Sequence, residues 1–160
     1  MRHETPVLRE AARVLLIDAR DRILLFRVEA ASGERSVWIT PGGGLKAGES
    51  HVDGARRELW EETGIHAEPG PLVWVRRHVF RFGERLLDER EQFFVVRIDD
   101  AVLTRDHWEA HEHTFLLEHR WWTMEDMIAS KEWFAPRRMA ELLPAVLAGV
   151  YPAEAIDTGP

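Results

Sequence analysis

The chain has 160 residues, and this length fits one domain over residues 1–160, because a second core would have little room. Its composition, 45% hydrophobic and 31% charged residues, excludes a disordered chain. A net charge of -7 argues against a nucleic acid partner, since binding to a phosphate backbone needs clustered positive charge. The lack of cysteine excludes disulfides, thiolate metal sites and cysteine nucleophiles.

The N-terminal part of the chain is predicted to form short strands. Its apolar run at residues 14–17 is too short for a signal peptide or a membrane span, so we expect a cytoplasmic protein without a membrane partner. This run and residues 23–26 predict two strands joined by a polar turn, and residues 36–40 predict a third strand that ends at Pro41.

The middle of the chain predicts a helix and a long hairpin. Ser50 with Asp53 has the form of a capping box, and Gly64 is suited to a left-handed exit, which predicts a helix over residues 51–63. Residues 71–82 and 85–98 then predict two paired strands. The core-facing positions predicted in this hairpin are Val73, Val75, Val79, Phe93 and Val95.

The C-terminal part is predicted to contain a polar loop at 101–114 and a strand at 119–123. Thr123 with Asp126 predicts a capped helix, and Pro136 predicts the start of a last helix that Pro144 should kink or divide. Strands on both sides of one central helix predict an α/β fold with a mixed β-sheet between helices.

The central helix places several carboxylates close together. At about 100° per residue, Val52, Ala55 and Leu59 share a stripe suited to packing on a sheet. Beside it lie three glutamates, Glu58, Glu61 and Glu62, which repel one another unless a cation is present. A hard divalent cation such as Mg²⁺ takes oxygen ligands and bridges to substrate phosphates, although a solvated acidic face is the alternative explanation.

The residues before the helix complete this pattern. Gly42, Gly43 and Gly44 allow the backbone to turn sharply and to approach a ligand, where a carbonyl could join a metal shell. Arg57 could pair with Glu49 and fix the loop against the helix. A simple turn is the alternative for the glycines considered alone.

Together, residues 38–65 resemble the signature of the Nudix hydrolases, Gx5Ex7REUxEExGU with U an aliphatic residue. The matching positions, all at the required spacing, are Gly43, Glu49, Arg57, Glu58, Leu59, Glu61, Glu62, Gly64 and Ile65. The resemblance implies a Nudix fold, an α/β/α sandwich with a mixed sheet. It also implies a pyrophosphohydrolase that uses Mg²⁺ or Mn²⁺ to cleave a nucleoside diphosphate linked to another moiety.

The resemblance also implies residue roles. Glu58, Glu61 and Glu62 would be metal ligands together with backbone oxygen near Gly43, and Glu61, Glu62 and Arg57 would be catalytic. Glu49, Gly42 and Gly44 would support the site. A further glutamate from a late loop often acts as general base or extra ligand in this family, and we favour Glu112 over Glu109 and over Glu118, which abuts the predicted strand.

Other polar and aromatic residues have two interpretations each. His107, His111 and His113 suggest zinc, but exposed histidines are the simpler explanation. Arg76, Arg77 and Arg81 could reach phosphates or lie on an exposed strand. Aromatic side chains could stack on a base or fill the core, namely Trp74, Trp121, Trp122 and Phe80.

The alternative function is a Nudix-fold module that binds a nucleotide without turnover, although an intact signature favours the enzyme. An isoprenoid diphosphate isomerase on this fold is disfavoured, since such enzymes are expected to use a cysteine. Markers of specific substrates are absent downstream of the signature, so the sequence does not select between nucleoside triphosphates and nucleotide sugars. The resemblance allows a homodimer without requiring one.

Overall fold

The fold is described by a computed structural model that covers residues 3–30, 33, 35–99 and 116–160. Within these ranges it contains nine strands and three helices. The strands are β1 (Val7–Ile17), β2 (Ile23–Glu29), β3 (Ser36–Ile39), β4 (Gly42–Gly44), β5 (Leu72–Phe82), β6 (Arg85–Arg97), β7 (Leu116–Trp122), β8 (Phe134–Ala135) and β9 (Ile156–Asp157). The helices are α1 (His51–Thr63), α2 (Met124–Ala129) and α3 (Met139–Leu147).

All the strands belong to one mixed sheet. Its order is β8-β3-β2-β1-β6-β5-β9, with β4 paired to β1 and β7 paired to β2. Strands β1 and β6 run parallel from the pair Val7 and Leu87 to the pair Ile17 and Arg97, whereas β5 and β6 form an antiparallel hairpin. The predicted α/β fold with a mixed sheet is therefore confirmed.

The alternation of β1 supplies side chains to a core on each face of the sheet. Leu15 and Ile17 pack with Met139 and Leu143 of α3 on one face. Val14 and Leu16 point to the other face, where the core includes Ala55 and Leu59 of α1. The sheet consequently lies between α1 and the pair formed by α2 and α3, so residues on both of its faces are removed from water.

Helix α1 begins and ends where the sequence predicts. The Ser50 hydroxyl accepts a hydrogen bond from the Asp53 N–H at 3.1 Å, which satisfies one of the otherwise unpaired donors of the first turn. Gly64 adopts φ 73° and donates its N–H to the Trp60 carbonyl. Helix α2 likewise begins after Thr123, whose hydroxyl accepts from the Asp126 N–H.

Two predicted core positions are wrong. Val79 is 47% exposed, because a bulge between Leu72 and Trp74 makes Val73 and Trp74 both buried and reverses the inward alternation beyond it. Val52 is 40% exposed, because it lies in the first turn of α1, and the buried face begins with Gly54 and Ala55. Val75 is partly buried, and Phe93 and Val95 lie in the core as predicted.

The last helix also differs from the prediction. It begins at Met139, since Pro136 occupies a turn in which its carbonyl accepts the Met139 N–H at 3.1 Å. Pro144 lies inside this helix without dividing it. The Pro144 carbonyl still accepts a hydrogen bond from Ala148, so the helix continues past the proline. No helix within the described parts of the chain is long and apolar enough to cross a membrane.

Candidate active site

Strand β4 brings the glycines against β1 and against the start of α1. Its antiparallel pairing places Gly43 opposite Ala12 and Gly42 opposite Arg13. Gly42 has φ 144°, and a Cβ atom there would lie 2.2 Å from the Ala12 carbonyl oxygen. At Gly43 a Cβ atom would lie 2.7 Å from Glu58 Oε1, so the missing side chain gives the Glu58 carboxylate its room.

Two of the three signature glutamates are buried on the inner face of α1. Glu58 and Glu62 are each only 4% exposed, one helical turn apart. Glu62 Oε2 accepts the Gly42 N–H at 2.9 Å, which ties the helix to β4, the strand of three glycines that we call the glycine strand. Glu58 Oε2 is buried and has no hydrogen-bond partner among the described residues. An unpaired buried carboxylate oxygen is costly, so this atom is suited to a ligand.

Arg57 joins the loop to the carboxylates. Its Nε and Nη2 atoms donate to both oxygens of Glu49 at 2.8 and 2.9 Å, and Nη2 also donates to the Gly44 carbonyl at 3.1 Å. Its Nη1 donates to Glu58 and to Glu61 at 3.0 Å each. The hydrogen bonds from Arg57 hold the pKa of Glu49 below its ordinary value. One guanidinium therefore fixes the loop and orients two signature carboxylates.

These groups fit a hard divalent cation. Glu58 has an unpaired oxygen, and its carboxylate lies against Gly43, where a side chain would displace it. Glu62 is buried one helical turn further along, and Glu61 lies one helical turn from Arg57. Carboxylate and backbone carbonyl oxygens are the ligands that Mg²⁺ and Mn²⁺ take in proteins. The donor set thus agrees with the cation that the signature implies.

The glycine strand and the acidic helix form one wall of a cavity of about 1010 Å³. Its charged lining residues include Glu58, Glu62 and Arg57. Its apolar lining residues include Val28, Val37, Ile39, Phe80, Trp133 and Phe134. A concave site that combines apolar and charged groups is suited to a small molecule with both apolar and charged parts.

The floor of the cavity holds a buried charge network that the sequence analysis did not predict. We call it the arginine cluster, formed by Arg9 and Arg13 of β1, Arg76 of β5, and Glu89 and Glu91 of β6. Burial alone would lower the pKa of Arg13, but the carboxylates of Glu91 and Glu89 outweigh it and raise that pKa. Residues 89 and 91 lie on the same face of β6 as the buried Phe93 and Val95, and this two-residue spacing was a usable signal of their burial.

His78 adjoins this cluster and has a different character. A nitrogen of His78 and oxygens of Glu89 and Glu91 all lie within 4.8 Å of one another, a spacing that a metal ion could also use. However, Arg13 and Arg76 each donate to Glu91 at 2.6 Å, so its charge is already compensated. We therefore assign these two carboxylates to ion pairing with arginine.

The titration of His78 gives a testable pH dependence. Burial, followed by the charge of Arg76, lowers the pKa of His78 from 6.5 to about 4, while Glu91 acts in the opposite direction and Arg13 in the same one. The unfolded chain therefore binds more protons than the folded one between these values, and stability is lost as pH falls through this window. We expect His78→Gln to remove this contribution, measured as the wild-type minus variant difference in urea unfolding free energy. If the unfolding free energies of both proteins depend on pH in the same way between pH 6.5 and 4, the assignment is contradicted.

Several candidate residues from the sequence lie elsewhere. Glu109, Glu112 and the histidines at 107, 111 and 113 fall outside the described residues. Glu118 lies on β7 and pairs with Arg27.

The arginines of the hairpin separate into two groups. Arg76 lines the cavity, whereas Arg77 pairs with Asp88 and Arg81 pairs with Glu4. The aromatic candidates divide similarly. Trp74 and Trp122 fill the core, and Phe80 lines the cavity, where it stacks on His78 with ring centroids 4.4 Å apart.

The class of this protein is defined by two features: a mixed sheet between helices, and the glycine strand β4 packed against the glutamate-bearing helix α1. The family model described as NUDIX domain matches residues 7–146, which is most of the chain. The chain belongs to the Nudix family.

Two curated proteins are similar to parts of the sequence. The chain is 35% identical over 63 residues to the human m7GpppN-mRNA hydrolase NUDT17, covering 38% of this chain and 19% of that protein. It is 32% identical over 84 residues to the phosphatase NudJ of Escherichia coli K12, covering 50% of each. The matched region thus spans half or less of the length of these relatives.

Solved structures share the fold over almost their whole length. A MutT NUDIX hydrolase from Burkholderia pseudomallei has a TM-score of 0.64 at 21% identity, covering 87% of this chain and 98% of that one. The MutT protein of Methanosarcina mazei has a TM-score of 0.62 at 22% identity, covering 90% and 98%. Identities this low establish the fold alone.

Proposed function

We propose that this chain is a metal-dependent pyrophosphohydrolase that cleaves the pyrophosphate link of a nucleoside diphosphate joined to another moiety. The observation that carries the proposal is the pair of buried carboxylates, Glu58 and Glu62, beside the glycine strand at the wall of a large cavity. Glu61 is joined to Glu58 through Arg57. Family membership supports it, and so do the names of the relatives, a phosphatase and an mRNA cap hydrolase.

The signature residues would divide the work between holding a cation and fixing its ligands. Glu58, Glu61, Glu62 and backbone oxygen near Gly43 would hold Mg²⁺ or Mn²⁺. When bound, the ion would supply Lewis-acid activation of the attacking water and of the phosphoryl oxygens.

Arg57 would keep Glu58 and Glu61 oriented through its 3.0 Å hydrogen bonds, and its bidentate pair with Glu49 would hold the guanidinium still. The Gly42 N–H would fix the carboxylate of Glu62, and the Gly44 carbonyl would anchor Arg57. Fixing these groups before substrate arrives lowers the reorganisation that the reaction requires.

The remaining assignments stay predictions. We propose Glu112 as the general base or an additional ligand. We also propose that residues 1–160 form a single Nudix domain, that the protein is cytoplasmic, that its partner is a small nucleotide rather than a nucleic acid or a membrane, and that it can form a homodimer. The parallel pairing of β9 with β5 supports the single domain, because it connects residues beyond 146 to the sheet.

The proposal is tested by a substrate panel. Release of phosphate, pyrophosphate or nucleoside monophosphate should be measured from nucleoside triphosphates, nucleotide sugars and dinucleotides at alkaline pH. We expect turnover of at least one class with Mg²⁺ or Mn²⁺, its loss with a chelator, and its recovery when the ion is restored. Nucleotide binding without release across the whole panel would instead support a module that binds without turnover.

A further inference from the structure

The arginine cluster brings three guanidinium groups together in the lining of the cavity. Glu91 accepts from Arg13 Nε and from Arg76 Nη1, both at 2.6 Å. Glu89 pairs with Arg13 Nη2 at 3.2 Å and with Arg9 Nη1 at 3.3 Å. Three guanidinium groups thus meet these two carboxylates, and the carboxylate of Glu62, which lines the same cavity, also attracts Arg13. The charges are therefore nearly balanced, and a preference for an anion must come from the N–H donors of the arginines.

The cluster retains hydrogen-bond donors for such an anion. A guanidinium offers five N–H donors in a fixed plane. The Arg76 side chain is only 10% exposed, and its Nε has no hydrogen-bond partner among the described residues. Arg9 remains 40% exposed at the surface of the cavity. A buried donor without a partner is rare in folded proteins and is suited to a ligand acceptor.

The cluster lies beside the proposed metal ligands. Its three arginines line the same cavity as Glu58 and Glu62. A Cβ atom at Gly44 would lie 2.6 Å from Arg9 Nε, so this arginine crosses directly over the glycine strand.

His78 adjoins the cluster and adds no charge to it at neutral pH. Burial and the charge of Arg76 lower its pKa to about 4, so the imidazole is neutral at pH 7. The two carboxylates have a separate role, since they hold the arginines in fixed positions. An anion would therefore meet donors that are already oriented, which limits the entropy lost on binding.

We propose that the arginine cluster binds a phosphate of the substrate in addition to the diphosphate link that is cleaved. This inference rests on the proposed function and narrows the class of substrate. A nucleoside triphosphate offers such a phosphate, whereas a nucleotide sugar offers an uncharged sugar in its place. The cluster therefore selects nucleoside triphosphates over nucleotide sugars, a choice that the sequence alone did not make.

Kinetics on matched substrates test this proposal. ATP and ADP-glucose share a base, as do UTP and UDP-glucose, and we expect kcat/KM to be at least about 10-fold higher for the triphosphates. Arg76→Gln and Arg9→Gln should each lower kcat/KM for the triphosphates by about 10- to 100-fold, mainly through KM, which corresponds to one lost charge-assisted contact. Their effect on the nucleotide sugars should be small. Arg9 is partly exposed, so its variant remains informative if the Arg76 variant does not fold.

The matched control is Arg77→Gln, the same change at the next residue of β5. Arg77 points away from the cavity and donates to Asp88 at 2.8 and 3.0 Å, so this variant should resemble wild type on every substrate. Equal kcat/KM for both substrate classes in wild type, or equal losses on both classes in the cluster variants, would overturn the proposal.

A binding measurement separates this inference from the proposed function. Titration calorimetry with inorganic triphosphate and a chelator requires no turnover. We expect Arg9→Gln to weaken binding at least about 10-fold and Arg77→Gln to leave it unchanged. Weakening in the first variant supports the cluster even if no nucleotide is hydrolysed, a result that would reject the proposed function alone. Unchanged binding in the first variant rejects the cluster.

Discussion

Glu62→Gln is expected to lower the Mg²⁺-dependent kcat by roughly 10²- to 10³-fold, the range found when one group that stabilises transition-state charge is removed. The substitution keeps the size of the side chain and removes its negative charge. Its amide oxygen can still accept the 2.9 Å hydrogen bond from the Gly42 N–H, so the fold should persist. The loss would then reflect weaker cation binding, because a neutral amide is a poorer ligand for Mg²⁺ than a carboxylate.

The measurement compares kcat over a range of Mg²⁺ concentrations with the melting temperature of each variant. Glu61→Gln should behave similarly, since Glu61 shares Arg57 with the buried Glu58. Glu68→Gln is the matched control, because Glu68 is exposed and pairs with Arg56 on the outer side of α1. Wild-type turnover in Glu62→Gln at ordinary Mg²⁺ concentrations would show that this carboxylate does not serve the ion.

Gly42→Ala is expected to destabilise the protein by about 3 kcal/mol or more, as judged from the cost of strained backbone combined with steric overlap. The new methyl group would lie 2.2 Å from the Ala12 carbonyl oxygen and 2.7 Å from Arg13 Cα. Both atoms belong to the backbone of the central strand β1 and cannot rotate away. The positive φ of 144° adds strain for any residue with a side chain.

Urea unfolding of Gly42→Ala should be measured beside that of Gly48→Ala. Gly48 lies in the loop between β4 and α1 at φ 76°, and a Cβ atom there meets nothing within 4 Å. Its substitution should therefore lower the free energy of unfolding only by the strain of the left-handed backbone conformation, about 1–2 kcal/mol. If both variants unfold at the same urea concentration, then close packing of β4 on β1 does not explain the requirement for glycine.

The local part of the site was predictable from the sequence because its signals are short-range. Ser50 and Gly64 bound the helix through contacts three or four residues away, and the helical period alone groups Glu58, Glu61 and Glu62. The pair of Arg57 with Glu49 spans only eight residues and was anticipated with them.

The features that were not predicted from the sequence depend on tertiary structure. The bulge that exposes Val79 breaks a regular alternation, and nothing in the composition of residues 72–74 marks it. The burial of Glu58 and Glu62 was also missed, since a helical wheel places them beside the apolar stripe but cannot show that β4 covers them. The arginine cluster requires the register of β1 with both the hairpin and the glycine strand, which local sequence patterns do not specify.

The parallel pairing of β1 with β6 has a consequence for how the molecule forms. Arg13 contacts Glu91 at a sequence separation of 78, so the contact order of this part of the cavity is high. During synthesis, β1 must wait until β6 has left the ribosome before it finds this neighbour. The glycine strand and α1 are close in sequence and can come together earlier. The arginine cluster is then completed late.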